Sequence, residues 1–301
     1  GFFYSEQPLA PRPWPRSFPA QVAALLFDRF EALGGQPESG LVFLPCELIE
    51  ANGATLRDIV LRHARDWALP QEFSDWVTRH NDFLNTLVDR IVPGYPATEA
   101  DRLFAEFGYT DSLLVAAEPF HLWVIEGPER LANEFPLHKA GLNVVWTDDL
   151  QPYRASKVRI LNGAHTASAL AAFCGGLDTV GEMMNDSVAS RFLQQVVFDE
   201  IVPFVPLPEA ERRSYAKSVL ERFANPYIRH ELLSITLNSV SKWKVRVLPS
   251  LLDYAHTHGR APDGLAFSLA ALLWFYRGRF DAAGEFVGQR EAGSYPIRDS
   301  R

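Results

Sequence analysis

The 301-residue sequence predicts an α/β part followed by an all-α part, and three observations lead there. Short apolar runs of the kind that fill buried strands occur up to about residue 148; they alternate with stretches of helical period; beyond that point almost every segment repeats its apolar residues at helical spacing. The predicted domains are therefore 1–148 and 149–301.

In chain order, Pro8, Pro11, Pro13, Pro15 and Pro19 remove backbone donors and fix φ, which predicts an extended surface connector. Residues 20–33 have helical period and stop at Gly34-Gly35. Leu41-Val-Phe-Leu44 reads as a buried strand and 55–67 as the helix after it, giving βα order. Ser74 is a plausible N-cap for a helix running to residue 87, and 103–107 belongs to another short helix. His121-Leu-Trp-Val-Ile125 and Leu142-Asn-Val-Val-Trp146 are the next strands. Helices are then expected over 152–173, 187–202, 209–224, 227–238, 247–257 and 265–276, with a loose tail after Arg277.

Composition excludes several function classes. A net charge of −8, with basic residues scattered, gives no field that would attract nucleic acid. Cys46 and Cys174 lie far apart and outside any CxxC spacing, so neither a disulfide framework nor a zinc knuckle is indicated, and a reducing cytoplasm fits best. The longest apolar helix, 265–275, is short of the ~20 residues a membrane span needs, and no export signal opens the chain, so no membrane partner is expected. His256-x-His258 has no third ligand to complete a metal site, and no metal is expected.

Chemistry concentrates in Lys157-Val-Arg-Ile-Leu-Asn162-Gly-Ala-His165. On an α-helix Asn162 lies roughly 140° and His165 roughly 80° around from Lys157, so the three share one broad face. Carbonyl reduction by hydride needs a proton for the developing alkoxide, and a lysine in a partly dry cleft suits that role. Asn162 and His165 would then donate to the oxygen that gains charge. Spacing alone favours the plainer reading, an exposed lysine, an amide near a turn and a core histidine, because lone polar triplets are common on helices.

The run from Val145-Trp-Thr-Asp-Asp149 through Pro152-Tyr153 into Lys157-x4-Asn162-Gly-Ala-His165-Thr resembles the signature of the mannitol dehydrogenase family of long-chain, zinc-independent dehydrogenases. Leu87-Val-Asp-Arg-Ile91, Gly176-Leu-Asp-Thr-Val180 and Arg222-Phe-Ala-Asn-Pro-Tyr-Ile228 extend the likeness over residues 40–280. It implies an incomplete Rossmann-type N-terminal part, a mostly helical C-terminal domain carrying catalysis, NAD as cofactor, and Lys157, Asn162 and His165 as catalytic residues.

Leu44-Pro-Cys-Glu-Leu-Ile49, Asn85-Thr-Leu-Val-Asp-Arg-Ile-Val-Pro-Gly-Tyr95 and Asn225-Pro-Tyr-Ile-Arg-His230 look most like the family's hexuronate branch. This implies reversible reduction of D-tagaturonate to D-altronate in galacturonate breakdown, with fructuronate or a mannitol-type polyol as alternative substrates. The family's mannitol- and fructuronate-type enzymes typically read Cys-Asp-Asn where this chain has Cys46-Glu47-Leu48, and Leu48 cannot donate the amide hydrogen bond. The resemblance assigns Pro45, Cys46 and Glu47 to the cofactor side, and Asp89, His230, Lys242, Lys244 and Arg246 to the substrate, a sugar acid whose carboxylate calls for basic side chains. The glycine-rich nucleotide turn GxGxxG does not occur, so compared with the family the chain begins late in the cofactor domain and ends early. A non-catalytic remnant that binds a sugar acid or a partner is therefore the competing expectation.

Overall fold

The computed structural model describes residues 2–6, 9, 14–92, 94–227 and 229–299. Pro8, Pro11, Pro13, Pro93 and Ile228, which enter the expectations above, lie outside the described residues. The chain divides into two compact units, 1–150 and 151–301.

The first unit opens differently from the extended surface connector expected. Phe2 stacks on Phe18, Tyr4 packs on His63, Pro15 is buried, and Pro19 sits in the first turn of α1 (Phe18–Leu33), where a missing N–H costs nothing. Gly34 ends α1 in the left-handed conformation at φ 64°. β1 (Val42–Phe43) leads through a loop into α2 (Asn52–Asp66), and α3 (Gln71–His80) follows. The helix expected over 74–87 is corrected here: it starts earlier and breaks at Asn81, and the rest is strand, β2 (Asp82–Phe83) and β3 (Asn85–Asp89). Phe83, Leu84 and Leu87 are spaced so that either period accommodates them. Pairing decides, because β3 lies antiparallel to β4 (Leu122–Glu126), with Leu87 opposite Val124.

Between β3 and β4 runs α4 (Ala100–Phe107), ended by left-handed Gly108. After β4 come α5 (Glu129–Glu134) and β5 (Val144–Thr147), which pairs parallel to β4. β1 and β2 form a separate parallel pair. Leu26, Leu56, Val60, Phe73 and Trp76 form one core of this unit, and Leu84, Ile125, Leu131 and Val144 another.

The second unit is mostly helical. α6 (Gln151–Ser156) passes through a π-helical segment, Lys157–Asn162, into α7 (Gly163–Cys174). α8 (Val180–Asn185) is capped by a Thr179–Glu182 capping box, and α9 (Ser187–Gln195) by Asp186. α9 continues into a second π segment, Val196–Ile201. α10 (Glu209–Phe223) follows.

The helix expected over 227–238 shrinks to one turn, α11 (Leu232–Ile235). The chain before it is extended instead: the Val180 amide donates to the His230 carbonyl at 2.9 Å and the Leu232 amide to the Asp178 carbonyl at 2.8 Å, forming a bridge that no local period announces. α12 (Ser239–Arg246), α13 (Leu248–His258) and α14 (Asp263–Phe275) complete the helices.

The tail is not loose. It forms an antiparallel meander of β6 (Gly278–Phe280), β7 (Phe286–Arg290) and β8 (Gly293–Pro296). Tyr295 anchors it, stacking on Phe275 and donating its hydroxyl to the Phe275 carbonyl at 2.9 Å, while Arg290 donates to the Phe173 and Leu177 carbonyls. α7 is buried on nearly every side and forms the spine of this unit's core, with Leu193, Val197, Val219, Leu265 and Phe275 around it.

Candidate functional site

The π segment changes the geometry that α-helical spacing predicts. An i→i+5 turn stacks position 162 over position 157, instead of leaving them roughly 140° apart. His165, three residues further along α7, lies about 60° from Asn162. Single π turns of this kind occur frequently at functional sites. Asn162 is half-buried; its side-chain amide makes no hydrogen bond to a described residue, while its carbonyl accepts from the Thr166 hydroxyl at 2.8 Å. Gly163 is the residue that fits next: a Cβ there would stand 3.0 Å from the Arg246 carbonyl, so its absence lets the end of α12 press against the start of α7.

His165 is buried, its ring face to face with Phe223 at 3.9 Å and edge-on to His230 at 5.2 Å. Burial holds its pKa well below the usual imidazole value, and the basic groups His230, Arg246, Arg222 and Lys242 push the same way, so the ring is neutral. Burial also lowers the pKa of His230, against a weaker opposite pull from Glu231. It lowers that of Arg246, which donates to the Thr166 hydroxyl at a long 3.5 Å. Lys242 is lowered by burial and then by the Arg246 charge, with Asp299 opposing. Its ammonium donates to the Ile235 carbonyl at 3.0 Å, which leaves further donors available.

Lys244, two residues from Lys242 and about 200° around α12, is exposed and is not among the groups that act on His165. Arg229 is also exposed, paired with Glu231 at 2.7 Å. His258 packs on Tyr254, and among the described residues no group of three metal-binding side chains occurs. Sequence reasoning did not single out Arg222, Phe223, Thr166 or Asp299. Arg222 and Phe223 open the Arg222–Ile228 family motif, which was the available signal. Asp299 accepts from the Tyr276 hydroxyl at 2.8 Å and from the Asn238 amide at 2.8 Å, where α12 begins, a role visible only once the tail is folded.

In the first unit, Pro45, Cys46 and Glu47 lie in the loop after β1, where the C-terminal ends of parallel β1 and β2 open. Asn52 knots this loop: its amide nitrogen donates to the Pro45, Glu47 and Thr86 carbonyls at 2.9, 3.1 and 3.1 Å, and its oxygen accepts from the Thr86 and Gly53 amides. A Cβ on Gly53 would stand 2.4 Å from the Leu84 carbonyl group, so only glycine fits. A cavity of about 300 Å³ is lined by Phe18, Phe43, Leu44, Pro45, Cys46 and Glu47. Cys46 is exposed, and desolvation raises its pKa. Leu48 is exposed, and Asp89 is buried at the end of β3 opposite Leu122.

A Rossmann-type α/β unit in which β1 and β2 run parallel is followed by a mostly helical unit, whose π segment and α7 carry Lys157, Asn162 and His165. Residues 16–139 match the mannitol dehydrogenase Rossmann domain and 149–292 the mannitol dehydrogenase C-terminal domain, and the chain belongs to the mannitol dehydrogenase family. It is 50% identical over 285 residues to an altronate oxidoreductase of Yersinia enterocolitica, covering 95% of this chain and 57% of that protein. A substrate-free D-sorbitol dehydrogenase superposes with a TM-score of 0.77 at 27% identity, over 94% of this chain and 55% of the other. Pseudomonas fluorescens mannitol 2-dehydrogenase in ternary complex with NAD and D-mannitol gives 0.66 at 27% identity, over 95% and 55%. The chain thus spans 57% of the length of the Yersinia relative. Among the described residues no helix is long and apolar enough to cross a membrane.

Proposed function

We propose that this chain carries the catalytic and substrate-recognition elements of an NAD-dependent oxidoreductase that reduces D-tagaturonate to D-altronate and runs the reverse, in cytoplasmic hexuronate catabolism. The observation that carries the reading is the set of basic groups around His165. Arg246, Lys242, Arg222 and His230 bear on one buried ring, and among the described residues no carboxylate is one of the charges that act on it. Such a site favours an anionic ligand, and a uronate brings a carboxylate where a polyol does not. The altronate oxidoreductase name of the Yersinia relative supports the same choice.

Lys157 is the acid/base: its ammonium gives a proton to the carbonyl oxygen as that oxygen gains charge, and in the reverse direction its amine accepts the hydroxyl proton. Asn162 donates its amide hydrogens to the same oxygen. Its lack of a protein partner among the described residues suits that task, since a ligand oxygen would complete its hydrogen bonding. His165, neutral, adds a hydrogen bond without competing for the proton. Arg246 and Lys242 hold the carboxylate.

The Pro45–Glu47 loop fits the nicotinamide side of the cofactor, because it borders a cavity at the ends of parallel strands and Asn52 holds it rigid. When bound, NADH supplies the hydride to the carbonyl carbon.

The test is a panel of tagaturonate, fructuronate and fructose, each with NADH and NADPH. Tagaturonate with NADH should turn over fastest; turnover of fructose alone would overturn the uronate reading.

A further inference from the structure

His165 carries a polar atom that the fold leaves unsatisfied. Its Nε2 is buried without a partner, and neither ring nitrogen hydrogen-bonds to a described residue. The neighbouring buried hydroxyls differ: Thr166 donates to the Asn162 carbonyl and Ser168 to the Ala164 carbonyl, each one turn back. Functional imidazoles are usually oriented by a carboxylate or carbonyl on the second nitrogen. Here the charged groups that bear on the ring are His230 from the extended segment before α11, Arg246 and Lys242 from α12, and Arg222 from α10, all of them basic. Among the described residues no hydrogen bond sets the ring plane, and the torsion about Cβ–Cγ of a histidine is intrinsically broad.

What stands against that ring is Phe223, the last residue of α10, itself 4% exposed. The two rings lie 3.9 Å apart with an interplanar angle of 6°, a parallel stack. His230 closes one edge at 87°. Stacked aromatic pairs gain stability beyond that of burial. Shape adds to this: a flat ring leaves one plane for its neighbour, whereas a branched aliphatic side chain of similar volume leaves several.

We propose that Phe223 is a positioning residue, which fixes the imidazole plane of His165 and thereby the direction in which the ring meets the substrate oxygen. This rests on the reading of His165 as a substrate contact. Phe223 itself touches neither substrate nor cofactor; it substitutes a steric plane for the missing hydrogen bond.

The experiment compares Phe223→Leu with Phe223→Tyr by histidine-selective ¹⁵N NMR of this chain, alongside turnover and thermal unfolding. In the leucine variant the His165 ring signals should move toward tautomer averaging and the titration midpoint should rise toward that of an exposed imidazole. kcat should fall about tenfold with KM little changed, a loss within the range set by small misplacements of reacting groups. The tyrosine variant, which keeps the flat face, should restore all three. A folded leucine variant with unchanged His165 signals overturns the proposal, and if that variant does not fold, Phe223→Met is judged by the same criterion. Altered His165 signals with unchanged turnover would leave the positioning role standing and overturn the reading of His165 as a substrate contact.

Discussion

At the scale of single residues, the helical unit sorts its polar groups by protonation. Lys157 is assigned the proton, so Lys157→Ala should lower kcat by about 10²-fold or more, the scale of general acid–base catalysis. A steady-state assay across pH checks this, and unchanged turnover removes Lys157 from the mechanism. Arg246 and Lys242 are assigned the carboxylate. Replacing either by alanine removes a charge-assisted hydrogen bond of about 1.5–3 kcal/mol, which raises KM for the uronate about tenfold to a hundredfold and leaves an uncharged ketose nearly unaffected. Equal effects on both substrates discard the role. The three histidines whose pKa burial lowers, His63, His165 and His230, make stability depend on pH. Below the ordinary imidazole value near 6.5 the unfolded chain takes up protons that the folded chain refuses, so stability is full above that pH and declines as pH falls through it toward each folded-state pKa. Tm should therefore drop between about pH 7 and about pH 5. His63 lies between Tyr4 and Trp67 with both ring nitrogens unpartnered, so His63→Phe should flatten part of that slope and raise Tm on the acid side. An unchanged slope would show that His63 is not a source of it.

Elements show which features a local pattern can carry. α1, α2, β4, β5, α13 and α14 are legible because each is an apolar or amphipathic stretch of helix or strand length and, at α1, has a glycine stop. The errors came where a distant partner decides: β3 beside β4, the extended stretch tied to Asp178 and Val180, and the tail folded back onto Phe173 and Phe275. The candidate site was half legible. Its helix was, through Lys157, Asn162 and His165, but α-helical spacing could not foresee the π turn that brings 157 and 162 together, nor Phe223 and Arg222 arriving on another helix. The second π segment shows how an element is held from outside. Glu200, buried on it, accepts from the amides of Gly264 and Leu265 at 2.9 and 2.7 Å, so a carboxylate from one helix caps the start of α14. Glu200→Ala should cost about 2–3 kcal/mol, since two buried donors lose a charged acceptor. Urea denaturation measures this, and a loss within about 0.5 kcal/mol, the range of ordinary surface substitutions, would show that water replaces the cap.

At the scale of the whole molecule, two units with their own buried cores make one unfolding free energy an assumption to be tested. The variants that separate them are already defined by packing. Gly53→Ala places a Cβ 2.4 Å from the Leu84 carbonyl group and should destabilise the first unit by at least the ~1–3 kcal/mol typical of overpacking, because backbone must move. Glu200→Ala acts on the second. Tryptophans report on each: Trp76, Trp123 and Trp146 in the first unit, Trp243 and Trp274 in the second. Single-tryptophan versions unfolded in urea should then show Gly53→Ala shifting the midpoint of the first set and Glu200→Ala that of the second, each leaving the other nearly in place. If either substitution moves both sets together by the same amount, the chain unfolds as one cooperative body, and the acid-side loss of stability assigned to His63 would be felt at the Lys157–His165 helix as well.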